Sequence, residues 1–183
     1  MRRAAVPMLL AAAIIAGCGN SRTTVPDVRT PDAPQGARAV RLGHAGVRFR
    51  APVNWADLPG QGARAGGIQS RTATVAVWRY PRGEPLPATA AALDAARARL
   101  IERIKQRDGS FQVQGDRSLR LAGARAIEVT GRATIAGLPF RVRSTHLFKR
   151  GAEVVVDAYA PPADFDRVDA TVFRPLLQSL RLR

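Results

Sequence analysis

With 183 residues, 46% of them hydrophobic, the chain is long enough for one domain and too apolar to be disordered throughout. Its single cysteine excludes an internal disulfide, so the fold must rest on its core alone. The formal net charge of +15 is of a size that nucleic-acid binders reach, but only Lys105 and Lys149 are lysines and the arginines are spread along the chain. A solvated arginine-rich surface is the plain reading, attraction to anionic lipid headgroups the next, and nucleic acid is excluded as a partner.

Arg2 and Arg3 form a positively charged start, and the apolar run 4–17 is too short to span a bilayer but fits a signal peptide. The run ends in Ile15-Ala16-Gly17-Cys18, which resembles the lipobox of bacterial lipoproteins. The resemblance implies cleavage between Gly17 and Cys18 and acylation of the Cys18 thiol. Two or three acyl chains anchor where one does not, because each buried methylene adds roughly 0.8 kcal/mol. Residues 19–38 carry three prolines and almost no large apolar side chains, so 18–38 reads as the lipidated cysteine and a flexible tether, about 25 Å long on average. Residues 39–183 are left as one globular domain.

Val47–Ala51 alternates apolar and basic residues as a half-buried strand, and Thr72–Trp78 is a second strand. Trp55 falls in a loop near the glycines at 60, 62, 66 and 67, where it either plugs one end of the domain or lines a ligand groove. A helix is predicted from about Ala88 to Arg107, capped by Thr89, with Leu93, Ala96, Leu100, Ile101 and Ile104 on its apolar stripe. Short strands at Phe111–Gln114 and Arg117–Leu121 follow. Next comes a hairpin of Ala124–Thr134 and Phe140–Phe148 around Ala136-Gly137, with Ile135 facing Leu138.

Ala152–Ala160 is the next strand, and its register depends on the turn before it. A three-residue loop, Lys149–Gly151, places Arg143 opposite Asp157 and puts Val154, Val156 and Ala158 on the face of His146. A two-residue turn instead puts Ser144 opposite Asp157 with His146 on the same face, the outline of a nucleophile, a base and an orienter. The first register pairs opposite charges and gives His146 apolar neighbours, so it is the one expected. Mid-strand positions also offer no strained elbow and no evident oxyanion donors, and no catalytic residue is assigned. A helical segment over Asp164–Ala170 and Thr171–Ser179 closes the chain, with Pro175 tolerated in a new first turn. Strands, helix, strands, helix make an α+β fold: an antiparallel sheet flanked by helices.

Three short motifs carry a resemblance over residues 40–183: Pro52-Val53-Asn54-Trp55, the run 121–126 (LAGARA) before the long hairpin, and the run 173–180 (FRPLLQSL). They resemble the PsbP-like α/β/α sandwich found in actinobacterial lipoproteins of the LpqN type. The resemblance implies a non-catalytic binding or accessory factor for transport or assembly in the cell envelope, working with an envelope protein partner. A lipid or small-ligand carrier at the membrane surface is the alternative, and an envelope hydrolase a distant third. Trp55 and the basic strand residues Arg48, Arg50, Arg141 and Arg143 are the candidate ligand or partner surface. Two distant histidines, His44 and His146, make no metal motif, and no cofactor is expected. Replacing Cys18 with Ser in the native host is expected to shift the protein from the membrane pellet to the soluble extracytoplasmic fraction.

Overall fold

The computed structural model describes residues 29–183; the signal segment, Cys18 and the first part of the tether lie outside the described residues. The chain runs through β1 (Arg38–Leu42), β2 (Val47–Ala51), β3 (Ala56–Leu58), β4 (Arg64–Ser70), β5 (Ala73–Pro81), α1 (Ala90–Arg107), β6 (Gln112–Leu121), β7 (Ala124–Ile135), β8 (Leu138–Lys149) and β9 (Ala152–Ala160). It finishes with α2 (Pro162–Val168), a π turn (Asp169–Phe173), α3 (Arg174–Ser179) and β10 (Arg181–Leu182). Seven antiparallel strands form the main sheet in the order β3-β4-β5-β9-β8-β7-β6, and β1-β2-β10 form a small second sheet. No helix among the described residues is long and apolar enough to cross a membrane.

The main sheet is covered on both faces, as the α+β sandwich requires. On one face α1 sets Leu93 and Ile104 against Ile127 and Val129, with Leu100, Phe111 and Val113 around them. The Thr89 hydroxyl accepts from the Ala92 N–H at 3.1 Å and starts this helix. Asp94 and Arg97 reach the sheet edge at Ser118 and Asp116. The other face carries α2, α3 and the small sheet over a larger core that includes Trp55, Ile68, Val75, Val154, Val156, Phe173 and Leu180. Trp55 packs edge-on to Phe173 at 6.5 Å, and Phe173 edge-on to Phe165 at 5.9 Å. Pro175 has no N–H to continue the helical ladder, and the chain widens into the π turn just before it.

The β7–β8 register is the expected one, with Ile135 opposite Leu138 and Ile127 opposite His146. The β8–β9 register is not. Lys149 pairs with Ala152, so the turn has two residues, and Ser144 lies opposite Asp157 while Arg143 faces Ala158. Arg150 and Gly151 both have positive φ, 52° and 67°, the type I′ turn whose twist matches that of the flanking strands. The one-residue shift sends Val154, Val156 and Ala158 into the large core and turns Glu153, Val155, Asp157 and Tyr159 toward the α1 side.

Three further expectations are corrected. The segments 111–114 and 117–121 are one strand, β6, irregular between Val113 and Gly115. Gly66 and Gly67 belong to β4, not to a flexible loop: a Cβ on Gly67 would lie 1.9 Å from the Val75 carbonyl oxygen. Residues 29–37, assigned to the tether, are also bound to the domain. The Ser70 hydroxyl accepts from the Asp32 N–H and donates to its carboxylate, and Pro31 is buried. Trp55→Ala should lower stability by about 3–5 kcal/mol, read from urea unfolding, because a fully enclosed aromatic leaves a cavity behind.

Candidate functional site

Helix α1 covers the β6–β7 half of its face and stops short of β8, β9 and β5. The uncovered half is a cavity of about 710 Å³, open on one side. Leu100, Ile104, Phe111, Val142, Val155 and Tyr159 supply apolar wall. Its volume and mixed lining are those of a small-molecule site.

A chain of polar side chains crosses the floor, assembled by the pairing of β8 with β9. Arg82 forms an ion pair with Glu153, whose other oxygen lies 2.6 Å from His146 Nδ1. His146 Nε2 is 3.0 Å from Ser144 Oγ, and that oxygen is 2.6 Å from Asp157 Oδ1. Glu153, His146 and Ser144 are all buried. Burial first, and then the positive charges of Arg107 and Arg82, push His146 down to about 3. Burial pushes the Asp157 carboxyl up, against the Ser144 hydrogen bond, the charge of Arg107 and a weaker interaction with the Trp78 indole, which closes no full hydrogen bond.

These contacts constrain where the protons sit. Ser144 has one hydroxyl proton and two neighbours able to accept it. If Ser144 donates to an ionised Asp157, then Nε2 must carry a proton and His146 is a buried cation. If His146 is neutral, Ser144 donates to Nε2 and the Asp157 carboxylic acid donates to Ser144. Burial favours the second arrangement at both ends. The floor is thus a relay of polar side chains that ends on the Arg82–Glu153 pair.

Distances from Ser144 to His146 and from His146 to Glu153 are those of a nucleophile, base and orienter, set in the middle of a paired strand. Ser144 and His146 lie inside β8, between two paired strands that use their backbone amides in the ladder. No cluster of metal-ligating side chains occurs among the described residues.

The residues singled out from the sequence do not come together here. Trp55 is 1% exposed inside the large core and plugs it, so it lines no groove. Arg143 is no surface residue either: it is buried between Glu128 at 2.7 Å and both oxygens of Asp169 at 2.7 and 3.0 Å, tying β8 to β7 and to the π turn. Arg141 holds Asp166 at 2.8 Å and stacks over Phe165 at 4.5 Å. Arg48 and Arg50 are exposed on the small sheet, where Arg48 lies directly between Arg41 and Arg181. Cys18 and Gly17 lie outside the described residues. The floor residues were within reach of the sequence: Ala136-Gly137 was read as a two-residue turn, and Arg150-Gly151 has the same pattern.

No family model and no curated protein matches the sequence. Solved structures do resemble it. Cyanobacterial PsbP from Synechocystis has a TM-score of 0.61 at 12% identity, over 92% of this chain and 99% of that one. LpqN of Mycobacterium tuberculosis, described as involved in cell envelope biogenesis, has a TM-score of 0.55 at 17% identity, over 80% and 90% of the two chains. A Pseudomonas aeruginosa protein of unknown function has a TM-score of 0.52 at 19% identity, over 80% and 97%. These likenesses show the PsbP-like fold.

The electrostatics of the floor are open to test. The ordinary histidine pKa of 6.5 exceeds that of folded His146, so between the two the unfolded chain holds a proton that the folded chain lacks. Stability should therefore fall as pH drops from 6.5 toward 3, by up to about 1.4 kcal/mol per unit. His146→Gln should remove that share of the slope, and ¹⁵N spectra should show neutral His146 protonated on Nδ1 down to pH ~5.

Proposed function

We propose that this chain is a non-catalytic binding protein of the bacterial cell envelope, lipid-anchored through Cys18, that takes a small and partly apolar molecule into the cavity beside α1. The half-covered sheet carries this reading: apolar walls around about 710 Å³ form a compartment, not a solid core. A polar relay on its floor supplies hydrogen-bonding groups that orient a ligand. The likeness to LpqN supports the envelope setting, and the lipobox resemblance at Ile15–Cys18 supports the anchor.

A second reading, docking of an envelope protein partner, draws on the small sheet. There Arg41, Arg48 and Arg181 stand in one exposed row that closes no salt bridge among the described residues. An acidic partner surface would complement that row. The two readings are compatible, since the row and the cavity lie on different elements.

Native mass spectrometry of the full-length lipidated chain, purified gently from its host, tests the first reading. A reproducible added mass that is lost on denaturation is the expected result. A bare mass in every preparation, with crosslinks from the small sheet to one envelope protein, would leave the partner reading in its place.

A further inference from the structure

Four residues of α1 reach the cavity: Leu100, Arg103, Ile104 and Arg107. Their spacing of three and four puts them on one helix face, with two apolar side chains toward the wall and two guanidinium groups toward the mouth. The other charged residues of this helix are largely committed. Arg97 pairs with Asp94 and Asp116, and Lys105 with Glu102. Arg103 and Arg107 are exposed and close no salt bridge among the described residues.

The remaining charges at the cavity leave these two unanswered. Arg82 is matched by Glu153. Asp108 spends its carboxylate on the backbone N–H and hydroxyl of Ser110, at 2.9 and 2.7 Å, and feels Arg107 only as a weaker, more distant charge. Asp157 is half-buried and takes the Ser144 hydrogen bond at 2.6 Å, feeling Arg107 only as a more distant charge. Thus the mouth offers two free cations one helical turn apart, and the space behind them is walled by Ile104, Phe111, Val142 and Val155. A ligand that satisfies both parts has an anionic head and an apolar body.

Resting on the small-ligand reading above, we infer that the cavity binds an acidic amphiphile, its carboxylate or phosphate clamped by Arg103 and Arg107 and its acyl chain laid against the apolar wall of Ile104, Phe111, Val142 and Val155. The forked guanidinium groups suit such a head, because each donates two parallel hydrogen bonds to a carboxylate or phosphate.

The test uses full-length chain held in uncharged phosphatidylcholine nanodiscs, with the methyl signals of Ile104, Ile135 and Val142 reporting occupancy. Octyl phosphate supplies head and tail, octanol the tail alone and inorganic phosphate the head alone. Octyl phosphate should bind about tenfold or more tightly than octanol. The double variant R103Q/R107Q should erase that margin, and R99Q on the outer part of the helix should keep it.

Equal binding of octyl phosphate and octanol, insensitive to R103Q/R107Q, would overturn the clamp while leaving a small-ligand cavity. Inorganic phosphate binding as tightly as octyl phosphate would overturn the amphiphile in favour of a free anion. Binding of none of the three would remove both the clamp and the reading on which it rests.

Discussion

The length of one turn decides what this protein presents to the space beneath α1. Because strand side chains alternate, removing one residue from the connection at Arg150–Gly151 exchanges the two faces of β9 wholesale. The observed two-residue turn sends a run of small and branched apolar residues into the large core. It leaves Glu153, Asp157 and Tyr159 to meet Ser144 and His146. A three-residue loop would bury the Asp157 carboxylate against α2 and α3. The cavity floor is a consequence of backbone twist in a hairpin, not of a local motif.

The same parity explains how two acidic clusters with different roles coexist on opposite faces of β8. On one face Arg143 is desolvated between Glu128 and Asp169, with Arg174 closing the far side of Asp169. Removing Asp169 would leave desolvated Arg143 with Glu128 alone and cut its tie to the π turn, so this cluster fixes the approach of that turn to the sheet. On the other face the relay runs from Asp157 through Ser144 and His146 to the Glu153–Arg82 ion pair. The first cluster is enclosed by packing, and the second opens onto a space that a ligand can enter.

Much of this architecture was legible because hydrophobic alternation and turn residues agree. The hairpin register at Ala136-Gly137, the bounds of β9 and the cap at Thr89 all follow from local chemistry. What escaped lacked a local signal. Strands β1, β3 and β10 are short, and β4 hides two glycines whose need is set by the neighbouring Val75 carbonyl, a contact no window of sequence contains. The site escaped for a different reason. Pairing Arg143 with Asp157 satisfies charge within one hairpin, whereas the actual partner, Asp169, lies 26 residues away on the π turn. Local electrostatics pointed to the wrong register because the better partner was tertiary.

The arginine row across the small sheet has a consequence of its own. Arg41, Arg48 and Arg181 stand side by side, and Arg132–Arg141 and Arg120–Arg125 repeat the like-charge juxtaposition on the main sheet. Directly opposed like charges weaken strand pairing, and mobile counterions screen exposed charges over roughly 8 Å at physiological salt. This surface is therefore steadied by its surroundings more than by its own carboxylates. Dilution loosens it and rising ionic strength tightens it, the reverse of a protein held together by exposed ion pairs.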